Sequence, residues 1–157
     1  MTELKQLRIS KNLTQQMAAE RMGISLRSYV SYENDKDKTN SIKYRFMLKE
    51  LESINPVDEE HGLLSIDEIK KVCQKVFVKY KVNYCILFGS YAKGKATETS
   101  DIDLLISTEV TGLKFFGLAE QLREELHKKV DLLDRRQLAH NEELLDDILK
   151  EGIRIYG

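Results

Sequence analysis

The sequence predicts two domains in series: an all-α domain, then an α/β (α+β) domain with a small mixed sheet. Three observations carry this. The single proline of the 157 residues, Pro56, sits in a polar stretch running from Ser53 to Gly62. Ahead of it, apolar residues recur only at helical spacing. Behind it, helical periods alternate with short, nearly continuous apolar runs of strand length. Proline disfavours helix at the residue before it, so the boundary is placed at 55/56, giving domains 1–55 and 56–157.

Before Pro56 the elements follow in order. Leu4 and Leu7 start an apolar face that ends by Asn12. Thr14 can cap a second helix through Met22, and Gly23 breaks the pattern. Ser25 can cap a third helix to about Glu33. A fourth spans about Ser41 to Glu52, with Tyr44, Leu48 and Leu51 along one face.

After Pro56, Ser65 and Glu68 form a capping box. Ile66, Ile69, Cys73, Val76 and Tyr80 follow at helical spacing. Val82 to Phe88 and Asp101 to Ile106 read as strands buried on both faces. Leu113 to Leu126 is helical, with Leu118, Leu122 and Leu126 on its inner face, and Val130 to Leu133 is a short strand. Asn141 caps a last helix that Gly152 stops, and Ile153 to Tyr156 adds an edge strand.

Composition narrows the class. With 41% hydrophobic and 32% charged residues, the chain is globular rather than disordered. No apolar run approaches the roughly 18 residues that span a bilayer. Thr2, Glu3, Lys5, Gln6 and Arg8 interrupt any secretory signal. Cys73 and Cys85 read as small buried hydrophobes rather than a disulfide or zinc site. A cytoplasmic location without a membrane partner is expected. The formal charge of −1 conceals a division: residues 1–55 sum to +3 and residues 56–157 to −4. A uniformly basic nucleic-acid binder is excluded; a modestly basic head is not.

Within that head, a capped helix, a glycine turn and a second capped helix make a helix-turn-helix. Ala19 is small where the two helices cross. The third helix would enter the major groove by its N-terminal end, with Ser25, Leu26, Arg27, Ser28 and Ser31 as candidate DNA-facing residues. Gln15 is placed to donate to a phosphate, supplemented by Lys11, Lys36, Lys38 and Lys43. The run from Thr14-Gln15 through Gly23-Ile24-Ser25 to Glu33 resembles the Xre/Cro-type repressor domain. Ala18, Leu26 and Tyr29 depart from its usual pattern. The resemblance implies operator DNA as a partner and favours a homodimer through this domain. A helical docking module that no longer binds DNA is the alternative.

The second domain carries the stronger signal: Phe88-Gly89-Ser90-Tyr91-Ala92-Lys93, then Ser100-Asp101-Ile102-Asp103. Gly89 lets the backbone turn sharply and approach a ligand. Ser90 opens a short helix whose free N–H groups and dipole favour phosphate, and Lys93 adds a cation. Asp101 and Asp103, two apart in a strand, point to one face. Such a pair is costly unless a cation such as Mg²⁺ compensates it. Asp131, at the start of another short strand, is a candidate third carboxylate. Three carboxylates could hold two metals for an in-line displacement at phosphorus, with Asp131 by preference helping to remove the attacking proton.

Gly-Ser, ten residues, then Asp-x-Asp resembles the signature of the DNA-polymerase-β-like nucleotidyltransferase superfamily, and the short domain resembles its minimal branch. The resemblance implies Gly89 and Ser90 at the triphosphate, Asp101, Asp103 and Asp131 as ligands of two Mg²⁺ ions, and ATP as substrate. Arginine is frequent in the family where Tyr91 and Lys93 stand here. Members often act as antitoxins that transfer AMP to a tyrosine of a HEPN-type ribonuclease toxin. That partner is therefore expected, with the head repressing its own operon. Two rivals remain at this level: a small-molecule nucleotidyltransferase of the antibiotic type, and a DNA-binding antitoxin that neutralises by binding alone.

Overall fold

The computed structural model describes residues 1–157. Contacts divide the chain into two units, Met1–Gly62 and Leu63–Gly157. The division falls seven residues after the expected 55/56. Val57 is the reason: it is fully buried, its N–H donates to the Lys11 carbonyl (3.0 Å), and its carbonyl accepts from the Asn12 side chain (2.9 Å). The polar stretch after Pro56 is thus tied to the first helices. Asp58, Glu59 and Glu60 come with it, and the first unit's formal charge falls from +3 to zero.

The first unit contains α1 (Glu3–Ser10), α2 (Gln15–Met22), α3 (Leu26–Asn34), a 3₁₀ turn (Lys36–Lys38) and α4 (Ile42–Ser53). Each α-helix starts on a hydroxyl cap, Thr2, Thr14, Ser25 and Ser41, which accepts from the N–H three residues on. The turn between α2 and α3 is made by Gly23 at φ +69°. Leu4, Met17, Ala18, Ala19, Tyr29, Tyr44, Met47 and Leu51 form the core. Ala18 is fully buried, so its small side chain is accommodated by the packing around it.

One ionic group sits inside this core. Glu33 is 1% exposed and receives a two-pronged ion pair from Arg8, Nε to Oε2 at 2.7 Å and Nη2 to Oε1 at 2.9 Å. Gln15 Nε2 donates to the same carboxylate at 3.0 Å. Burial pushes Glu33 up, but the bonds from Arg8 and Gln15 prevail and hold it below the usual glutamate range.

The second unit contains α5 (Ile66–Phe77), β1 (Val82–Phe88), α6 (Gly89–Ala92), β2 (Ile102–Thr108), α7 (Leu113–Leu126), β3 (Val130–Asp134), α8 (Glu142–Glu151) and β4 (Ile153–Tyr156). A 3₁₀ turn over Arg135–Leu138 follows β3, and its Asp134–Gln137 capping box is absent from the hydrophobic pattern. The sheet order is β3-β2-β1-β4. β1 is antiparallel to β2 and β4, while β2 and β3 are parallel, so the sheet is mixed. α5 keeps the Ser65–Glu68 capping box and buries Ile69, Cys73, Val76 and Phe77; it ends before Tyr80. Cys73 and Cys85 are free thiols that burial pushes up, Cys73 to about 12. Gly152 ends α8 in extended backbone (φ −74°) rather than in a left-handed turn. Glycine is required there by space, because a Cβ would collide with the Ile148 carbonyl and the Ile86 side chain.

Removing one partner of a buried ion pair strands the other. Glu33→Ala should therefore cost the first unit about 3 kcal/mol. Hydrogen exchange in the core of α1–α4 should speed up about a hundredfold. Unchanged protection of these amides would show that the pair contributes little.

Candidate active site and DNA-facing helix

The active-site candidates gather because three adjacent strands end at one rim of the sheet. β1 runs antiparallel to β2, which sets Phe88 opposite Asp103. β2 runs parallel to β3, which sets Asp103 opposite Asp131. Gly89, Asp103 and Asp131 thus lie on neighbouring strand ends, about 4.8 Å apart from one strand to the next. Asp101 lies just ahead of β2 and is exposed, as is Asp131; Asp103 is half-buried between them. Burial first, and then the charges of Asp131 and Asp101, lift the Asp103 carboxyl to about 6.

Gly89 makes this arrangement feasible. It has φ +70°, and a Cβ there would overlap Asp103 Oδ2 and stand 3.0 Å from its Cγ. The backbone that opens α6 is therefore in direct contact with the central carboxylate. α6 is a single turn, so its dipole is small. What it offers a phosphate is its first N–H groups, which lack partners within the helix. Tyr91, in one of the places where arginine is frequent, is 4% exposed and turns inward, so it does not face a phosphate. Lys93, in the other, is exposed and pairs with Glu151 (3.1 Å). A solvent-exposed pair is weak, which leaves Lys93 able to turn to an incoming anion.

Lys128 supports the site and has no distinguishing mark in the sequence, since its neighbour Lys129 is exposed. Lys128 is fully buried, and its Nζ donates to the Glu98 carbonyl (2.6 Å). The adjacent Lys129 carbonyl accepts from the Ile102 N–H (2.9 Å). Together these bonds strap the loop carrying Asp101 to the lead-in of β3, which carries Asp131.

The donor set suits Mg²⁺. No three acidic, histidine or cysteine side chains close into a ready cluster; the carboxylates form an open mouth. Mg²⁺ takes one or two protein carboxylates and completes its shell with water and substrate phosphates. A cation there would relieve the repulsion that lifts Asp103.

In the first unit, Ser25 caps α3 by accepting from the Ser28 N–H (3.1 Å), and Leu26 and Arg27 are exposed. The Ser28 hydroxyl receives Lys43 Nζ (3.3 Å), and the Ser31 hydroxyl receives Lys38 Nζ. Both lysines also lie 4.9 Å from the Tyr32 ring centre. A local basic cluster therefore flanks α3. Two expected phosphate donors are engaged elsewhere. Gln15 donates to Glu33, and Lys11 donates to the Glu52 carbonyl (2.6 Å) near the end of α4.

Comparison with known proteins agrees with both halves. Residues 67–157 match the polymerase beta nucleotidyltransferase family, and residues 4–51 match a helix-turn-helix family. A protein of Methanocaldococcus jannaschii assigned as a protein adenylyltransferase is 39% identical over 80 residues, 47% of this chain and 93% of that protein. The protein adenylyltransferase MntA of Thermococcus cleftensis is 33% identical over 83 residues, 49% of this chain and 84% of its own. Among solved structures, a minimal nucleotidyltransferase superposes with a TM-score of 0.51 at 28% identity, over 59% of this chain and 98% of that one.

Two outcomes test the geometry. Without divalent cations, Asp103 should titrate near pH 6 by carboxyl NMR. Because the folded state then holds a proton that the unfolded state has released, this group's contribution to stability is complete at low pH. It is lost as the pH rises through about 6. Asp131→Asn, by removing a neighbouring charge, should lower the midpoint; an unmoved midpoint would separate the two carboxylates. Gly89→Ala should leave the sheet folded but displace Asp103, lowering transfer activity at least about a hundredfold.

Proposed function

We propose that this chain, which belongs to the polymerase beta nucleotidyltransferase family in its protein-adenylyltransferase branch, is the antitoxin of a toxin–antitoxin pair. It transfers AMP from ATP to a tyrosine of a HEPN-type ribonuclease toxin, and its helix-turn-helix head binds operator DNA. The observation that carries the reading is the register that sets Gly89, Asp103 and Asp131 side by side on three strand ends.

The chain's own groups divide the work. The N–H groups at Gly89 and Ser90 cradle the triphosphate, and Lys93 offers a positive charge to it. Asp101, Asp103 and Asp131 would hold Mg²⁺, which when bound would neutralise charge on the phosphates and ease ionisation of the attacking hydroxyl. Asp131, exposed on β3, accepts the proton of the acceptor hydroxyl. The new O–P bond forms at the α-phosphorus as the bond to pyrophosphate breaks. Adding a charged phosphodiester to a toxin tyrosine would block RNA by repulsion and bulk. The domain lacks any large acceptor-binding insertion, which supports an acceptor supplied as a separate protein.

For the head, support comes from the exposed N-terminal end of α3 and the Lys38–Lys43 cluster beside it. With a net charge of zero on its unit, affinity should be modest and steeply dependent on salt. A dimer on a palindromic operator would double the phosphate contacts.

The decisive experiment incubates the chain with labelled ATP, Mg²⁺ and the product of the neighbouring gene, expected to be a HEPN-type protein. Label should pass to a tyrosine of that protein, and Asp101→Ala with Asp103→Ala should reduce transfer about a thousandfold or more. Rescue from toxicity by the double variant would overturn the catalytic account of neutralisation. In a gel-shift assay with the operon's promoter at low salt, Arg27→Ala should weaken binding about tenfold. If the wild-type chain shifts no promoter fragment, the repressor role falls.

A further inference from the structure

An in-line displacement has a direction. The attacking oxygen must approach the α-phosphorus from the side opposite the leaving pyrophosphate. In this sheet the phosphate-binding turn follows β1, Asp103 is central, and Asp131 lies beyond it on β3. Pyrophosphate therefore leaves on the β1 side, and the acceptor enters on the β3 side. β3 is the edge strand there, and a groove of about 620 Å³ runs along it. Asp131 lines the groove at one end; Leu132 and Leu133 continue it, and Val110, Phe115 and Phe116 lie across from them.

We propose that this groove is the acceptor-binding site, and that it takes an apolar segment of the acceptor protein with an aromatic hydroxyl reaching Asp131. The assignment rests on the adenylyltransferase reading and names the surface that selects its protein substrate. Phe116 is 69% exposed and Leu113, one turn earlier on α7, is 89% exposed. Neither belongs to the core face of α7, which is Leu118, Leu122 and Leu126. Phe116 lines the same groove as Asp131, and an exposed large apolar side chain there marks a contact surface.

The charge pattern selects against the nucleotide as occupant. The guanidinium of Arg136, at the far end of the groove, is bound to Asp134 and donates to the Val110 carbonyl (3.1 Å), so it is not free for a phosphate. From Asp131 to Asp134 the strand advances roughly 10 Å. Phe115 and Phe116 thus hold parts of the acceptor remote from the reacting hydroxyl. Their loss should act on acceptor binding more than on the chemical step.

The test is Phe116→Ser in the full chain, with circular dichroism as a check that it folds. Binding of the HEPN-type protein is measured by titration, separately from AMP transfer and from affinity for a fluorescent ATP analogue. Acceptor KM and Kd should rise about tenfold while ATP affinity and kcat stay unchanged. If ATP affinity falls instead, the groove belongs to the nucleoside and the proposal is overturned. If no constant moves, it is likewise overturned. If the variant loses acceptor binding but even the wild type transfers no AMP, the groove stands and the adenylyltransferase reading of this pair fails. A wild type that neither binds nor modifies the protein overturns both.

Discussion

The contact between the Gly89 backbone and the Asp103 carboxylate is the constraint on which the rest of the candidate site depends. In the proposed reaction a turn that binds phosphate and a carboxylate that would hold a metal have to lie within a few ångströms of each other to act on one triphosphate. Here that approach is so close that no side chain fits between them. The antiparallel pairing of Phe88 with Asp103 brings the two strand ends together, and the positive φ of Gly89 turns the chain across the carboxylate. The ten residues between Ser90 and Asp101 then need only return the chain from the end of β1 to the start of β2. Lys128 fixes that return from below by binding the Glu98 carbonyl.

The candidate site is legible in the sequence because its motifs are short-range. Gly89-Ser90 and Asp101-x-Asp103 are contiguous patterns at strand ends, although only Asp103 lies within β2 and Asp101 falls just ahead of it, so strand alternation does not fix both side chains. The strand carrying Asp131 was readable as a strand, and parallel pairing with β2 supplies what the pattern could not, its register with Asp103. Long-range features were not legible. By sequence pattern Val57 falls in the second domain because it follows the proline. Only its bonds to Lys11 and Asn12, some 45 residues earlier, return it to the first. Gln15 and Lys11 look like free surface donors until the fold brings Glu33 and the end of α4 to them. Gly152 does stop α8, but by making room for Ile86 and the Ile148 carbonyl rather than by adopting a left-handed turn.

The head shows why net charge is a poor guide to nucleic-acid affinity in a small domain. Moving the boundary from 55/56 to 62/63 adds three acidic residues and erases the surplus of +3. The Lys38–Lys43 cluster beside α3 is unaffected by that sum, because phosphates sense charges within about a Debye length rather than the total. The strongest electrostatic feature of the unit, the Arg8–Glu33 pair, is internal and directed at stability. Its place at the end of α3 couples that helix to α1, and through Gln15 to α2.

The openness of the carboxylate mouth bears on what the acceptor must do. Asp101 and Asp131 are exposed, and the body has few walls around them. An exposed site lets water compete for the α-phosphorus and weakens each electrostatic contact with the transition state. A small-molecule acceptor would leave that exposure in place. A protein acceptor seated along β3 would cover Asp131 with its own surface and exclude water as it delivers the hydroxyl. In the proposed docking, the same contact would confer specificity and complete the site.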